Sequence, residues 1–184
     1  KARFDEANNI RWSKEMQNAG VKIVYSIPRI KVHSKIALIN KQTPQGRRSY
    51  AFVGTGNFNE TTARFYTDHA LLTSNKAVTQ DLQTLFYFLR NRTKPEKKDA
   101  REFGSILVSQ YNMIEVFEQE INTQIKRKKK NLPAGIKIKL NNLEDIPMID
   151  QLYKAGEAGV PIQLIVRGIC CLKTGELPGT ENIK

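Results

Sequence analysis

Lys31-Val32-His33-Ser34-Lys35-Ile36-Ala37-Leu38-Ile39 and, beyond a Pro44-Gln45-Gly46 turn, Tyr50-Ala51-Phe52-Val53-Gly54-Thr55-Gly56-Asn57-Phe58-Asn59 decide how this chain is read. Ile36 to Ile39 is a short apolar run of strand length. The Pro-Gln-Gly turn sends the chain back, so Tyr50 to Val53 is expected to pair antiparallel with it. Gly54 to Asn59 is then a glycine-punctuated loop at the end of the returning strand. His33 and Lys35 are two residues apart where the first strand begins. Alternate strand positions share a face, so imidazole and ammonium point the same way.

Outward from this hairpin the pattern alternates between helix and strand. Asp5 suits an N-cap, and Glu6, Ile10, Met16 and Ala19 suit a helix that runs to Gly20. Val21 to Tyr25 reads as a strand, as does Ala70 to Thr73. Asn75 caps a helix through Leu89, whose Val78, Leu82, Leu85, Phe86 and Leu89 share one face. Asn91 to Arg101 is polar and charged. A second block comes next: a strand at Ile106–Val108, a helix from Ile114 to Ile125 ending in Lys126–Lys130, a strand at Ile136–Leu140, a helix from Asp145 to near Gly159, and a strand at Ile162–Val166. This order predicts an α/β fold, a mixed β-sheet with flanking helices. Residues 1–92 form the first unit, 93–104 a linker, and 105–184 the start of a second, incomplete unit.

The two units carry a weak repeat. Phe4-Asp5 overlies Leu143-Glu144, Ile10 overlies Ile149, Ala19-Gly20-Val21 overlies Ala158-Gly159-Val160, and Ile23 overlies Ile162, at a constant offset of 139 residues. Each copy is a helix closed by Ala-Gly-Val and followed by a strand. The first copy leads into His33. The second stops before any comparable histidine.

Composition narrows the partners. The 184 residues carry a formal charge of +12, which favours polyanions: nucleic acid, an anionic membrane surface or phosphorylated substrates. The hydrophobic share of 40% is enough for a packed core. Cys170 and Cys171 are adjacent, which argues against a secreted disulfide framework. No apolar stretch approaches membrane-spanning length, and no signal peptide is visible. The chain begins at Lys1 without Met and reads as a fragment.

His33 and Lys35 suit attack on phosphate. Imidazole supplies the nucleophile and the ammonium neutralises phosphoryl oxygens. In the Gly54–Asn59 loop, glycines let backbone N–H groups approach an anion, and Asn57 and Asn59 add amide donors. His-x-Lys, a strand, then Gly-Thr-Gly-Asn-Phe-Asn resembles the phospholipase D superfamily, although Asn40 stands where that family places an Asp. Adding Lys1-Ala2-Arg3-Phe4-Asp5-Glu6, Thr62-Ala63-Arg64-Phe65-Tyr66-Thr67-Asp68 and Leu164-Ile165-Val166-Arg167-Gly168-Ile169-Cys170-Cys171-Leu172, the chain resembles bacterial polyphosphate kinases over nearly its whole length.

That resemblance implies a first phospholipase D-like domain lacking its opening strand, plus the start of a second. It implies reversible transfer of the terminal phosphate of ATP to polyphosphate, with Mg²⁺, through a phosphohistidine. His33 matches the phosphorylated residue, with Lys35 beside it as the neutralising cation already read from the spacing. Tyr66 and Arg167 match nucleotide-binding positions. Asn57, Asn59 and Arg64 complete the ATP and phosphate set, with a local Arg64–Asp68 ion pair the alternative for Arg64. Arg3 matches the metal–phosphate site. A guanidinium has no lone pair for a metal, so Arg3 is expected to hold phosphate oxygens that in turn hold Mg²⁺. Expected partners are ATP or ADP and polyphosphate, not nucleic acid. The full-length protein is expected to be a homo-oligomer in the cytoplasm, with association at a membrane surface left open. An isolated fragment is expected to be inactive.

Other residues read as structural: His69 within its strand, Cys170 and Cys171 as packing residues, Trp12 as packing on the first helix, and Lys126–Lys130 as a solvated helix end favoured by the dipole. Two competing functions remain in view. One is a phospholipase D-type phosphodiesterase, which Asn40 disfavours. The other is a basic nucleic-acid-binding module. That needs exposed aromatics interleaved with cations, whereas aromatics here fall in apolar runs such as Phe86-Tyr87-Phe88.

Overall fold

The computed structural model describes residues 6–25, 27, 30–92, 96, 99, 102–175 and 178–184. The chain divides into two compact units, Lys1–Tyr111 and Asn112–Lys184.

In the first unit, helix α1 (Glu6–Asn18) ends at a glycine with a left-handed backbone, Gly20 at φ +83°. The N–H groups of Ala19, Gly20 and Val21 return to the carbonyls of Glu15, Gln17 and Met16 and close the helix end. The Asp5 cap falls outside the described residues. Val21–Tyr25, expected as a strand, has no ladder to any described strand. A strand owes its stability to cross-strand neighbours, and here Val21, Val24 and Tyr25 stay exposed. Trp12 is likewise exposed, with the Arg11 guanidinium 5.4 Å from its ring centroid, so it is not the packing residue the sequence suggested.

The hairpin forms as read, and it is longer. Strands β1 (Lys35–Thr43) and β2 (Gly46–Gly54) pair antiparallel from Lys35↔Gly54 to Thr43↔Gly46. Gly46, at φ +105°, supplies the turn conformation that other residues resist. The short helix α2 (Glu60–Ala63) leads to β3 (Ala70–Thr73), which joins the free edge of β2 antiparallel. Helix α3 (Lys76–Asn91) starts at Asn75, whose side chain accepts from the N–H groups of Ala77 and Val78 at 2.9 and 3.3 Å. Its buried Leu82 and Leu85 pack with Ala51, Ile36, Leu38 and Val53 of the sheet.

Ile106–Val108 is a loop and not the expected strand. One oxygen of the buried Asp81 carboxylate accepts from the N–H groups of Gly104, Ser105 and Ile106 at 3.0, 2.6 and 3.1 Å. Backbone donors held this way cannot enter a ladder. Beyond them, Tyr111 stacks on Phe88 at 5.5 Å and meets Phe103 edge-on at 5.2 Å. Residues 105–111, read from the sequence as the start of the second unit, therefore pack on the first.

The second unit is a strand–helix–strand crossover preceded by a helix. Helix α4 (Met113–Lys129) runs through most of the lysine cluster, where cations meet the negative end of the helix dipole. Strands β4 (Ile136–Leu140) and β5 (Ile162–Val166) pair in parallel, joined by α5 (Ile146–Glu157). Asp145 caps α5 by accepting from Met148 N–H at 3.0 Å. Leu152, Ala155 and Val160 are wholly buried, with Ile149, Ile162 and Leu172 around them. Lys184 exchanges backbone hydrogen bonds with Ile162 and Leu164, so residues 183–184 lie along β5. Both senses of pairing are thus present, but segregated: antiparallel in the first unit, parallel in the second.

Candidate functional site

The register of the first sheet assembles a site at one end. Lys35 pairs with Gly54, and Gly54 with Ala70. Two residues further out on each chain segment are His33, Gly56 and Asp68. Three loops separated in sequence therefore converge.

Their contacts are specific. Thr55 N–H donates to the His69 carbonyl at 3.0 Å, and His69 N–H donates to Thr55 Oγ1 at 3.1 Å. Thr55 Oγ1 in turn donates to Asp68 Oδ1 at 2.9 Å. A Cβ on Gly56 would lie 2.6 Å from Asp68 Oδ2, so only glycine admits the carboxylate there. Lys35 is buried, and its Nζ lies 3.0 Å from Nδ1 and 3.4 Å from Nε2 of the exposed His33.

Charge is set by this geometry. The Lys35 ammonium, then burial, then Lys31 hold the His33 imidazole below its ordinary pKa. Burial lowers Lys35 as well; the Asp68 carboxylate opposes that shift and Lys31 adds to it. The arrangement favours a neutral imidazole beside a cation. Whichever ring nitrogen takes up an electrophilic phosphorus, its oxygens come within reach of Nζ.

The other expected residues are distributed unevenly. Asn59 caps α2, its Oδ1 accepting from Thr62 N–H at 3.0 Å, so its amide oxygen has a structural task. Asn57 is exposed and its carbonyl accepts from Asn59 N–H at 2.8 Å. Arg64 is the exposed C-cap residue of α2, and Asp68 accepts from Thr55 through Oδ1. Tyr66 comes on the same turn, half exposed, its N–H bonded to the Thr62 carbonyl. Arg3 lies outside the described residues.

Arg167 belongs to the second unit, just past the carboxyl end of β5, where open α/β sheets place their ligands. Its N–H bonds to the Leu140 carbonyl, and its guanidinium donates to Asn141 Oδ1. Asn142 Oδ1 accepts from Ile169 N–H at 3.3 Å, so an Asn-Asn pair shapes this turn. Cys170 and Cys171 are exposed thiols here, not packing residues.

Sequence reasoning missed Asp68 and Thr55 as members of the His33 cluster. The link follows from the register: once Lys35, Gly54 and Ala70 share a row, Gly56 and Asp68 share the next on that face. Asn40, at the position where an Asp was looked for, accepts from its cross-strand partner Ser49 at 2.6 Å. Among the described residues no cluster of three or more His, Cys, Asp or Glu side chains suited to a metal is assembled.

Known proteins share both units. Residues 1–95 match the family described as polyphosphate kinase C-terminal domain 1, and residues 106–184 match polyphosphate kinase C-terminal domain 2. The polyphosphate kinase of Escherichia coli K12 is 40% identical over 182 residues, covering 99% of this chain and 25% of that protein. The Staphylococcus epidermidis polyphosphate kinase is 40% identical, covering 100% of this chain and 24% of its own length. The crystal structure of polyphosphate kinase from Porphyromonas gingivalis superposes on 100% of this chain with a TM-score of 0.81 at 45% identity, using 30% of that chain. The chain thus spans about a quarter of the length of its curated relatives. By sequence over both units and by fold, it belongs to the polyphosphate kinase family.

Proposed function

We propose that this chain forms part of the active centre of a longer enzyme that moves the terminal phosphate of ATP reversibly onto inorganic polyphosphate, with His33 as the covalent carrier. The observation that carries this reading is the Lys35 ammonium 3.0 Å from His33 Nδ1, which favours a neutral ring. Neutral His33 attacks the γ-phosphorus in line. The N–P bond forms as the bridging P–O bond breaks, and ADP leaves with the electron pair. A terminal oxygen of polyphosphate then attacks the phosphorus, the N–P bond breaks, and the ring returns to its neutral state.

Phosphoryl transfer rests on positioning and charge neutralisation. Lys35 serves the transferred group, Arg3, Arg64 and Arg167 bind phosphate oxygens, Asn57 and Asn59 line the loop, and Tyr66 packs against the nucleotide. Mg²⁺ prefers one or two carboxylates plus substrate phosphates. Asp68, the carboxylate that acts on Lys35, fits a metal carried mainly by the nucleotide. Bound there, Mg²⁺ would neutralise charge on the β- and γ-phosphates.

The test uses the full-length enzyme containing this chain. It is expected to make polyphosphate from ATP with Mg²⁺, to lose that activity in EDTA, and to lose about 10²–10³ in kcat on Lys35→Met. The 184-residue chain alone is expected to make none. Hydrolysis of phosphodiesters without ATP consumption would overturn the reading.

A further inference from the structure

At the opposite end of the first sheet lies a cleft that the His33 chemistry does not use. It holds about 560 Å³ between residues that include Arg47, Arg48, Ser49, Lys76, Thr79 and Gln83. Three of these are exposed cations, and none of the lining side chains is acidic. The cations come from separate elements: Arg47 and Arg48 from the start of β2, Lys76 from the first turn of α3.

The walls are tied together. Gln83 Nε2 of α3 donates to Ser49 Oγ of β2 at 3.2 Å, and Ser49 Oγ donates to Asn40 Oδ1 of β1 at 2.6 Å. Thr79 is buried at the base, its hydroxyl donating to the Lys76 carbonyl at 3.1 Å. Like charges also face each other at this end of the hairpin: Lys41 pairs with Arg48 on the face of the sheet away from α3, the face that carries Lys35, while Arg47 shares the α3 face with Ser49. Directly opposed cations destabilise a sheet unless an anion joins them.

We propose that this cleft is a second anion-binding site that holds a distal stretch of a linear polyphosphate whose end is at His33. The inference rests on the function proposed above and adds a subsite to it. Distance selects the occupant. On the face away from α3, Lys35 marks the His33 end and Lys41, partner of Arg48, marks the near edge of the cleft. Six strand residues separate them, or about 20 Å. A nucleoside triphosphate bound at His33 does not reach across that gap. A long polyanion does, and it gains charge contacts that a short one cannot make.

The experiment is steady-state phosphorylation of ADP by the full-length enzyme, wild type against Arg47→Gln/Arg48→Gln/Lys76→Gln. The donors are long-chain polyphosphate and tripolyphosphate. For the long chain, KM is expected to rise about tenfold or more, and the slope of log KM against log salt to flatten, because fewer cations meet the chain. KM for tripolyphosphate and for ADP should stay at the wild-type value, which also shows that the fold is intact. An unchanged long-chain KM, or equal rises for long and short donors, overturns the subsite and leaves the proposed function standing. Weaker binding of single-stranded RNA with an unchanged long-chain KM would make the cleft a nucleic-acid site and likewise overturn it. If the wild type uses neither polyphosphate, the proposed function fails and this inference falls with it.

Discussion

The helix ends at Gly20 and Gly159 are copies of each other, yet the segments after them are not. In the first, the N–H groups of Ala19, Gly20 and Val21 bond to the carbonyls of Glu15, Gln17 and Met16; in the second, those of Ala158, Gly159 and Val160 bond to Lys154, Gly156 and Ala155. Every pair is displaced by the same 139 residues, and the two glycines have φ of +83° and +81°. After Gly159 the chain becomes β5, held by β4, and Val160 is 0% exposed. After Gly20 it finds no described ladder, and Val21 is 48% exposed. A helix cap is encoded by residues within a turn of it. A strand is not; it needs a neighbour that sequence alone does not supply.

The twin positions let this contrast be broken. Ile149 is 5% exposed and its counterpart Ile10 is 51% exposed. In this 184-residue chain Ile149→Ala is expected to cost about 2–5 kcal/mol by urea denaturation, and Ile10→Ala less than about 0.5 kcal/mol. Equal costs would mean that α1 has a packed partner after all. Asp81 tests the other side of the contrast, because the first unit fastens residues 104–106 with a carboxylate where the second uses a ladder. Asp81→Ala leaves three partly buried backbone donors without their acceptor and should cost about 1–3 kcal/mol, with faster hydrogen exchange at residues 104–106.

The caps themselves should respond alike. Gly20→Ala and Gly159→Ala each force a side chain into the left-handed region, at about 1 kcal/mol. The two should agree within a few tenths of a kcal/mol, since a Cβ on Gly159 meets only the flexible end of Lys128 at 3.2 Å and one on Gly20 meets nothing. A large disparity would show that the cap depends on its surroundings.

The smallest effect concerns the His33 end of the sheet. Lys35 is the first cause of the lowered His33 pKa, so Lys35→Met lets it climb back toward 6.5. Attack needs the neutral ring. The acid limb of residual activity in the full-length enzyme is therefore expected to move to higher pH, and a limb that stays or moves lower would show that Lys35 does not set the charge of His33.

Much of this was legible in the residues. Asn75 and Asp145 announced their helices because a capping side chain reaches only its own first turn. The hairpin was legible because Gly46 sits where a positive φ is required. Ile106–Val108 misled because its apolar residues do pack on the core, while Asp81, 25 residues before Ile106, takes the backbone donors that a strand needs. Among the site residues, His33 and Lys35 were found together as spacing implied. Asp68 was overlooked because its place beside Gly56 depends on the β2–β3 register, which no local pattern declares.

The proposed chemistry stands or falls with His33 as the phosphate carrier. The decisive assay incubates the full-length enzyme, wild type and His33→Ala, with Mg²⁺ and ATP labelled on the γ-phosphate, and measures acid-labile, base-stable protein phosphate. Label is expected on the wild type, where it chases into polyphosphate, and none on His33→Ala. Equal labelling of the two, or normal polyphosphate synthesis by His33→Ala, would show that His33 is not the carrier.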